Sequence, residues 1–456
     1  MFDDTIAAIA TSIGEAGLAV IRLSGRDAVT VADRCFVRAG KQPHLLADVP
    51  THTIHFGRIL QKGRIVDEVL VSVMRAPRTF TREDVVEISC HGGILPARLV
   101  LETVFAAGAR AALPGEFTRR AFLNGRIDLT QAEAVVDLIH ARSELALQAA
   151  NEQLAGKLSS RLKELRDELL TPLAHVEAHI DFPDEDIAPD TRAGLSARLA
   201  AVSARIEALL CTAKEGQILR QGIRAAIVGR PNTGKSSLLN QLLGRDRAIV
   251  SPLPGTTRDT IEETANIRGL PIVFVDTAGL RVAESEIEQE GIRRSHAMRD
   301  RAELILHVLD SSVPLTPEDQ QLLAAPGTQA HILVCNKSDL PRLLQFPTAP
   351  AVPLIEVCCL TGQGIESLKD AIKELIWSGA IQAEMLEVMI NSRHYEALRR
   401  AQEGVIAAQT ELDTQASLEF VAMELRIALN ALGEITGQTI TEDLLDRIFS
   451  QFCIGK

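Results

Sequence analysis

Residues 223–236, IRAAIVGRPNTGKS, combine residue types and spacing that point directly to chemistry. The apolar run Ile223 to Val228 reads as a buried strand, broken at Gly229 by a loop that closes on Gly234-Lys235-Ser236. The segment SSLLNQLL has an apolar face and reads as a helix ending at Gly244. Gly-x-x-x-x-Gly-Lys-Ser between a strand and a helix is a phosphate-binding arrangement. Its glycines let backbone N–H groups turn inward around phosphates, and the helix N-terminus adds its positive end. Lys235 can then reach the β- and γ-phosphates while the Ser236 hydroxyl ligates Mg²⁺. Asn232, Thr233, Gly234 and Ser237 are counted with them as nucleotide-binding positions. A chance glycine-rich turn would account for Gly229 and Gly234, but not for Lys235-Ser236 at this spacing after a strand.

Downstream residues address the base and the reaction. The apolar strand ending at Cys335 runs into Asn336-Lys337-Ser338-Asp339. Asn-Lys-x-Asp at a strand's C-terminal edge resembles the guanine reader of GTPases. The Asp339 carboxylate can accept from guanine N1–H and from the exocyclic amine, a donor pair adenine lacks. Between the two motifs, Ile272-Val273-Phe274-Val275 leads into Asp276-Thr277-Ala278-Gly279. In this D-x-x-G element Asp276 would hold a metal-bound water and the Gly279 N–H would meet the γ-phosphate. Gly255-Thr256-Thr257-Arg258-Asp259 reads as a first switch loop, with Thr257 closing on Mg²⁺. Cys358-Cys359-Leu360-Thr361-Gly362-Gln363-Gly364 stands where GTPases usually have Ser-Ala-x-x-Gly, a departure that backbone contacts to guanine O6 could survive. Leu280 follows D-x-x-G where Ras-type GTPases place a water-orienting Gln, so another group must orient the water. Glu284, Glu286, Glu288 and Glu290 supply candidates, most of them ordinary solvated positions. Arg258, Arg281 and Arg293 are near in sequence, but none is an obvious arginine finger.

Longer strings extend the comparison beyond a generic GTPase: DTIAAIAT and GLAVIRLSG near the start, FTREDVVEISCHGG, PGEFTRRAFLNGRIDLTQAEAVVDLI, DTAGLR and the terminal Cys453-Ile454-Gly455-Lys456. Through them the chain resembles the MnmE (TrmE) family of tRNA wobble-uridine modification GTPases over nearly its whole length. The resemblance implies a K⁺ ion held by Asn232 with the switch loop around Ser251, Leu253 and Thr256, in the place an arginine finger takes elsewhere. Ser251 stands where the family usually has Thr, and the hydroxyl is retained. The resemblance also implies a homodimer whose G domains pair across their nucleotide faces, with Glu288 orienting the attacking water through a second water. It assigns a folate pocket to Arg22, Glu87, Arg126 and Lys456, with 5-formyl- or methylene-tetrahydrofolate as one-carbon donor. The C-terminal tail would reach that pocket, making Cys453 a candidate participant in the chemistry. Its partners would be tRNA and the FAD-containing MnmG, in a heterotetramer that adds a carboxymethylaminomethyl or aminomethyl group at C5 of wobble uridine (U34). A ribosome-assembly GTPase of the Era/Der type is the alternative, but those carry a basic RNA-binding tail or a second G domain. This chain has one Gly-Lys-Ser motif and an acidic helical C-terminus. A folate-binding module with a regulatory G domain is a third reading.

The elements that must position these residues follow from the rest of the chain. At 456 residues it is long for one core and suggests about three domains. Residues 1–120 read as an α+β domain, with strands in LAVIRLSG, HTIHFGRIL, EVLVSVMRAP and DVVEISCHG and a helix after Gly93, and the resemblance implies that it binds folate and dimerises. His91 beside Gly92-Gly93 reads as a turn. Residues 121–220 and 380–456 read as two halves of an all-α body, the first opening with a continuous helix from Leu129 to Leu170 capped by Asp128 or Thr130. The acidic stretch Asp181 to Asp186 interrupts that body as a loop. The fold expected is therefore an α/β P-loop GTPase domain, 221–379, inserted into an all-α helical domain and preceded by an α+β domain, which the resemblance implies is tetrahydrofolate-binding. The seven cysteines form no C-x-x-C pair, so reduced thiols and a cytoplasmic setting are expected, with no zinc. No apolar run is long enough for a membrane span. A net charge of −12 is a poor electrostatic footprint for gripping RNA alone, so a basic partner would supply much of the hold on tRNA.

Overall fold

The computed structural model describes residues 3–39, 45–182, 191–244, 263–275, 302–324, 329–377, 389–414 and 416–456. They form two compact units: Met1–Val136 with Leu429–Lys456, and Asp137–Ala428.

The first unit is built on a seven-stranded sheet of β1 (Ile6–Ile9), β2 (Leu18–Ser24), β3 (Phe36–Arg38), β4 (Thr53–Gln61), β5 (Arg64–Met74), β6 (Val85–His91) and β7 (Arg110–Ala111). Its spatial order is β3-β4-β5-β6-β2-β1-β7, antiparallel except for the β1–β7 pair. Alternation along β2 buries Ala19, Ile21 and Leu23 in one core with Val100 and Val104 of α2 (Ile94–Ala106), after α1 (Ala28–Asp33) has added Val29 and Val31. The period-two pleat therefore turns Arg22 to the opposite face, where the register sets it directly across from Glu87 of β6. On that face α3 (Glu116–Leu123) packs Phe117 against Ile6 and Ala8, with Phe80 beside them.

Arg120 of α3 has a fully buried side chain, held by Asp4 Oδ1 (2.7 Å), Glu116 Oε1 (3.1 Å) and Glu83 Oε2 (3.2 Å). A buried guanidinium must be matched by carboxylates or it would cost several kcal/mol. Arg110 closes the network on Glu116 at 2.5 Å and on Asp4 at 2.6 Å.

The second unit holds a six-stranded sheet of β8 (Ile223–Val228), β9 (Glu263–Ile267), β10 (Leu270–Phe274), β11 (Leu304–Asp310), β12 (Ala330–Asn336) and β13 (Leu354–Glu356). The order is β13-β12-β11-β8-β10-β9, parallel apart from the β9–β10 hairpin. Strands covered on both faces read as near-continuous apolar runs, and β11 is buried at all its positions.

The expected continuous helix from Leu129 to Leu170 is instead three: α4 (Leu129–His140), α5 (Glu144–Leu154) and α6 (Lys157–Asp181). Two local signals make the breaks. The Ser143 hydroxyl accepts from Ala146 N (3.2 Å) as an N-cap, and Gly156 takes φ +87°, which favours glycine. Asp128 does cap α4: its Oδ1 accepts from Gln131 N (3.0 Å), and Gln131 Oε1 accepts from Asp128 N (3.0 Å).

Helices α7 (Thr191–Leu210) and α8 (Ala213–Gln221) precede β8. Within the sheet, α9 (Lys235–Leu243) follows β8, α10 (Pro317–Ala324) follows β11, and α11 (Ile365–Ile376) follows β13. Helix α12 (Ser392–Asp413) packs along α7, and Gln402 Nε2 donates to Glu207 Oε2 (2.7 Å) across the contact. Ala146 and Ala149 of α5 and Ile218 and Leu219 of α8 share the core of the sheet with Ile267 and Leu270. The last helices are α13 (Leu418–Thr436) and α14 (Glu442–Phe449). No helix among the described residues is long and apolar enough to cross a membrane.

Candidate nucleotide site and arginine cluster

Four segments meet at the C-terminal ends of the parallel strands: the loop after β8, the end of β11, the turn after β12 and the turn after β13. Ligands of open α/β sheets bind at this edge.

The loop after β8 is shaped by backbone that other residues would resist. A Cβ at Gly229 (φ +144°) would lie 2.3 Å from the Val308 carbonyl oxygen, and one at Gly234 (φ +95°) 2.1 Å from Asn336 Nδ2. Asn232 adopts φ +62°, a conformation asparagine tolerates better than most residues. The half-buried Lys235 donates from Nζ to the carbonyls of Arg230 (2.7 Å) and Gly229 (2.9 Å), and its third N–H remains for a phosphate oxygen. Burial pulls its pKa below the ordinary lysine value. Thr233 Oγ1 donates to the Arg230 carbonyl at 2.9 Å. Ser236 and Ser237 are exposed in the first turn of α9.

Asn336 ties three loops together. Its Nδ2 donates to the Thr233 carbonyl (2.8 Å) and its Oδ1 accepts from Cys359 N (3.1 Å). Lys337, at φ +63°, pairs with Asp310 Oδ2 at 2.5 Å. Burial alone would raise the Asp310 carboxyl, but Lys337 and the two hydrogen bonds from Ser312 more than offset it and hold the group below the usual range. The exposed Asp339 accepts from Cys358 Sγ at 3.1 Å.

The structure thus brings Asn232, Thr233, Gly234, Lys235, Ser236, Ser237, Asn336, Lys337 and Asp339 to one edge of the sheet. Ser251, Leu253, Thr256, Thr257, Asp276, Thr277, Ala278, Gly279 and Glu288 lie outside the described residues, as do Leu280 and the other switch-region candidates. Sequence reasoning missed Asp310, which anchors Lys337, and Asp319, whose Oδ1 accepts from Arg230 Nε at 2.9 Å. Both had a signal. Asp310 ends an apolar strand, and Asp319 stands three residues after Thr316, where it accepts from Thr316 Oγ1 (2.8 Å) at a helix start.

The first unit holds a second cluster. Arg22 Nε donates to Glu87 Oε1 (2.8 Å), and Arg22 Nη1 donates to the Gly455 carbonyl (3.3 Å). The C-terminal tail is therefore seated on this face: the Cys453 carbonyl accepts from Gly115 N (3.4 Å), and a Cβ at Gly455 would come within 2.5 Å of the Ile9 carbonyl oxygen. The Cys453 thiol is free and exposed. Arg22 stacks over the Phe117 ring at 5.9 Å, while Arg126 stacks over Phe80 at 5.6 Å and donates to the Thr79 carbonyl (2.8 Å). Phe80 and Phe117 belong to one cluster, so the two arginines flank a common aromatic patch. Lys456 is partly buried, its N–H donating to the Cys453 carbonyl at 3.3 Å. His91 ends β6 at the surface, its Nδ1 2.7 Å from Asp67 Oδ1.

A parallel sheet with a Gly-Lys-Ser loop at its first strand, locked to an Asn-Lys-x-Asp turn two strands away, defines a P-loop domain of the GTPase class. Comparison with known proteins narrows the class. Residues 129–453 match the family model described as the MnmE helical domain, and residues 5–126 that described as the GTP-binding protein TrmE N-terminus. The tRNA modification GTPase MnmE of Geobacillus thermodenitrificans (strain NG80-2) is 49% identical over 461 residues, covering 99% of both chains. That of Chloroflexus aurantiacus (strain ATCC 29366 / DSM 635 / J-10-fl) is also 49% identical over 461 residues, with all of both chains covered (100%). The Bacillus subtilis (strain 168) protein of the same description is 45% identical over 460 residues, covering 99% of this chain and 100% of the relative. The chain belongs to the MnmE (TrmE) family.

Proposed function

We propose that the protein hydrolyses GTP and acts in tRNA modification as a K⁺-activated homodimer, with a flavin-dependent MnmG partner. Together they would add a carboxymethylaminomethyl or aminomethyl group at C5 of wobble uridine (U34). The Asn336 junction carries the nucleotide reading, because its two hydrogen bonds tie the phosphate loop and the turn after β13 to the Asn-Lys-x-Asp turn. The family match favours tRNA modification over the ribosome-assembly alternative.

In this reading Lys235 holds the β- and γ-phosphates and Asp339 reads guanine. Ser236 and Thr257 would ligate Mg²⁺, and Asp276 would position a water of its shell. Asn232 suits a monovalent cation, since its exposed amide sits on a left-handed turn of the phosphate loop. Ser251, Leu253 and Thr256 would complete that shell. The two ions would supply positive charge to the phosphates in the transition state. Glu288 would orient the attacking water, and a second copy facing the nucleotide would close the site. Residues 1–120 would provide the dimerising, folate-binding domain, and the outward positions Ile54, Phe56 and Leu70 of β4 and β5 are apolar and exposed, as an interface requires.

The Arg22–Glu87 pair and the aromatic patch suit a flat, nitrogen-rich ring with an anionic tail, the chemistry of a tetrahydrofolate derivative in its 5-formyl or methylene form. Arg126 and Lys456 would line the same pocket, and the Cys453 thiol would be delivered to it by the seated tail. The helical halves, 121–220 and 380–456, would link this domain to the inserted G domain at 221–379.

The test is reconstitution with partner, tRNA, folate, GTP and K⁺, reading the wobble base by mass spectrometry and phosphate release in parallel. Replacing K⁺ with Na⁺ should lower turnover by on the order of 10³-fold, the scale of an arginine finger. Unchanged turnover in Na⁺ would remove the cation role. Full modification by Cys453→Ser would remove that thiol from the chemistry.

A further inference from the structure

We infer that Asp319 is a positioning residue for phosphate binding: acting through Arg230, it aims the ammonium group of Lys235 at the β- and γ-phosphates. This deepens the phosphate-holding role proposed for Lys235 and rests on it. The phosphate loop has two halves with different supports. From Thr233 onward it is held by Asn336, whose Nδ2 donates to the Thr233 carbonyl (2.8 Å), and it runs directly into α9. The earlier half carries the two carbonyls on which Lys235 Nζ rests, those of Gly229 (2.9 Å) and Arg230 (2.7 Å). Gly229 is fixed by its close approach to the Val308 carbonyl oxygen. Arg230 is fixed from outside the loop. Its Nε donates to Asp319 Oδ1 at 2.9 Å, while its own carbonyl also accepts from Thr233 Oγ1 at 2.9 Å. Pro231 adds to this by disfavouring helical backbone at the residue before it. Turning the Arg230 peptide therefore means releasing either its side chain or Lys235.

Asp319 is a rigid anchor. Its side chain is 2% exposed, and its two oxygens are divided between two tasks. Oδ2 accepts from Thr316 N (3.1 Å) and Thr316 Oγ1 (2.8 Å), and Asp319 N donates back to Thr316 Oγ1 (3.3 Å), a reciprocal cap on the start of α10. The cap uses Oδ2 alone, so Oδ1 is left to the guanidinium, and a buried carboxylate needs that opposite charge. An ammonium group has three N–H donors. Two of those on Lys235 are spent on the loop carbonyls, so the placement of the carbonyls sets the direction of the third. A displaced Arg230 carbonyl swings that donor off the phosphates, a loss felt only by a ligand that has a β-phosphate. The base is read elsewhere, by Asp339, and a nucleoside monophosphate escapes the loss.

Titration of the full-length protein with GDP and with GMP, in Mg²⁺, tests this. Asp319→Asn keeps the side chain's size and an oxygen for the cap but removes the charge facing Arg230. It should weaken GDP binding by about three- to tenfold, the scale of one hydrogen bond to a charged group. It should weaken GMP binding by less than about twofold, so that the ratio between the two ligands narrows. Arg230→Met removes the other end of the pair without touching the cap of α10 and should narrow the ratio equally. The double variant should bind GDP no more weakly than the weaker single variant. In a Lys235→Ala background, Asp319→Asn should leave GDP affinity unchanged, which keeps the test decisive if the single variants loosen the fold. An unchanged GDP affinity in Asp319→Asn overturns the proposal, as do equal losses for GDP and GMP, additive losses in the double variant or a further loss in the Lys235→Ala background. A wild-type protein that binds GDP no more tightly than GMP would instead overturn the phosphate role of Lys235 beneath it.

Discussion

Asn336→Ala should loosen the nucleotide site and the domain around it together. The side chain is 3% exposed and makes two hydrogen bonds, to the Thr233 carbonyl (2.8 Å) and from the Cys359 N–H (3.1 Å). Truncation removes both and leaves a buried acceptor and a buried donor, each costing about 1–3 kcal/mol when unmatched. Partial relaxation into the space vacated gives an expected total of about 2–4 kcal/mol. The reporter is built in. Trp377, the only tryptophan in the chain, is 5% exposed and packs in the core of this sheet, so its emission follows unfolding of the nucleotide domain. With a urea slope of about 1–3 kcal/mol per M, the midpoint should fall by roughly 1–2 M. GDP affinity should fall by about 10- to 100-fold, because three loops must be reordered on binding. A midpoint within about 0.3 M of wild type, by the same slope, would refute the argument that Asn336 is the structural tie. Weakened GDP binding without any change in stability would reduce it to a ligand contact.

Gly234→Ala places a methyl group 2.1 Å from Asn336 Nδ2 on a φ of +95°, so GDP affinity in fluorescence titration should drop more than about tenfold. Gly455→Ala meets the Ile9 carbonyl oxygen at 2.5 Å and should unseat the tail. Calorimetric titration with 5-formyl-tetrahydrofolate should then show weaker binding, whereas an unchanged affinity would separate tail docking from the pocket. Asp4 and Glu116 bear on acid stability. Burial pushes both carboxyls up, but Arg110 and Arg120 oppose it, helped at Glu116 by the Leu113 N–H, and hold both below their usual values. Unfolded, these groups take up protons more readily, so their contribution is complete above about pH 5 and is lost as pH falls through the lowered folded values. Scanning calorimetry should show Glu116→Gln with lower stability at neutral pH and a flatter acid limb; an identical acid limb would show that this carboxylate does not set it.

Much of the site was legible because its chemistry is local. Gly229, Gly234, Lys235 and Ser236 act through one loop, so their spacing alone implies a phosphate cradle, and the Asn336–Asp339 turn is equally short-range. The strands of the first unit were legible where they alternate, as β2 does, but Ile6–Ile9 and the two-residue β7 are too short to show a period. The break of the long helix into α4, α5 and α6 was written in Ser143 and Gly156, local signals that a strong apolar periodicity obscured. What no spacing could supply was long-range pairing. Arg22 meets Gly455 across 433 positions, Asn336 meets Thr233 across 103, and Cys358 meets Asp339 between two different turns. The sequence by itself determined which groups could do chemistry, because residue type and local backbone set donors, acceptors and charge. Only the tertiary structure decided which of those groups meet, because strand order and burial, not distance along the chain, bring two loops within hydrogen-bonding reach.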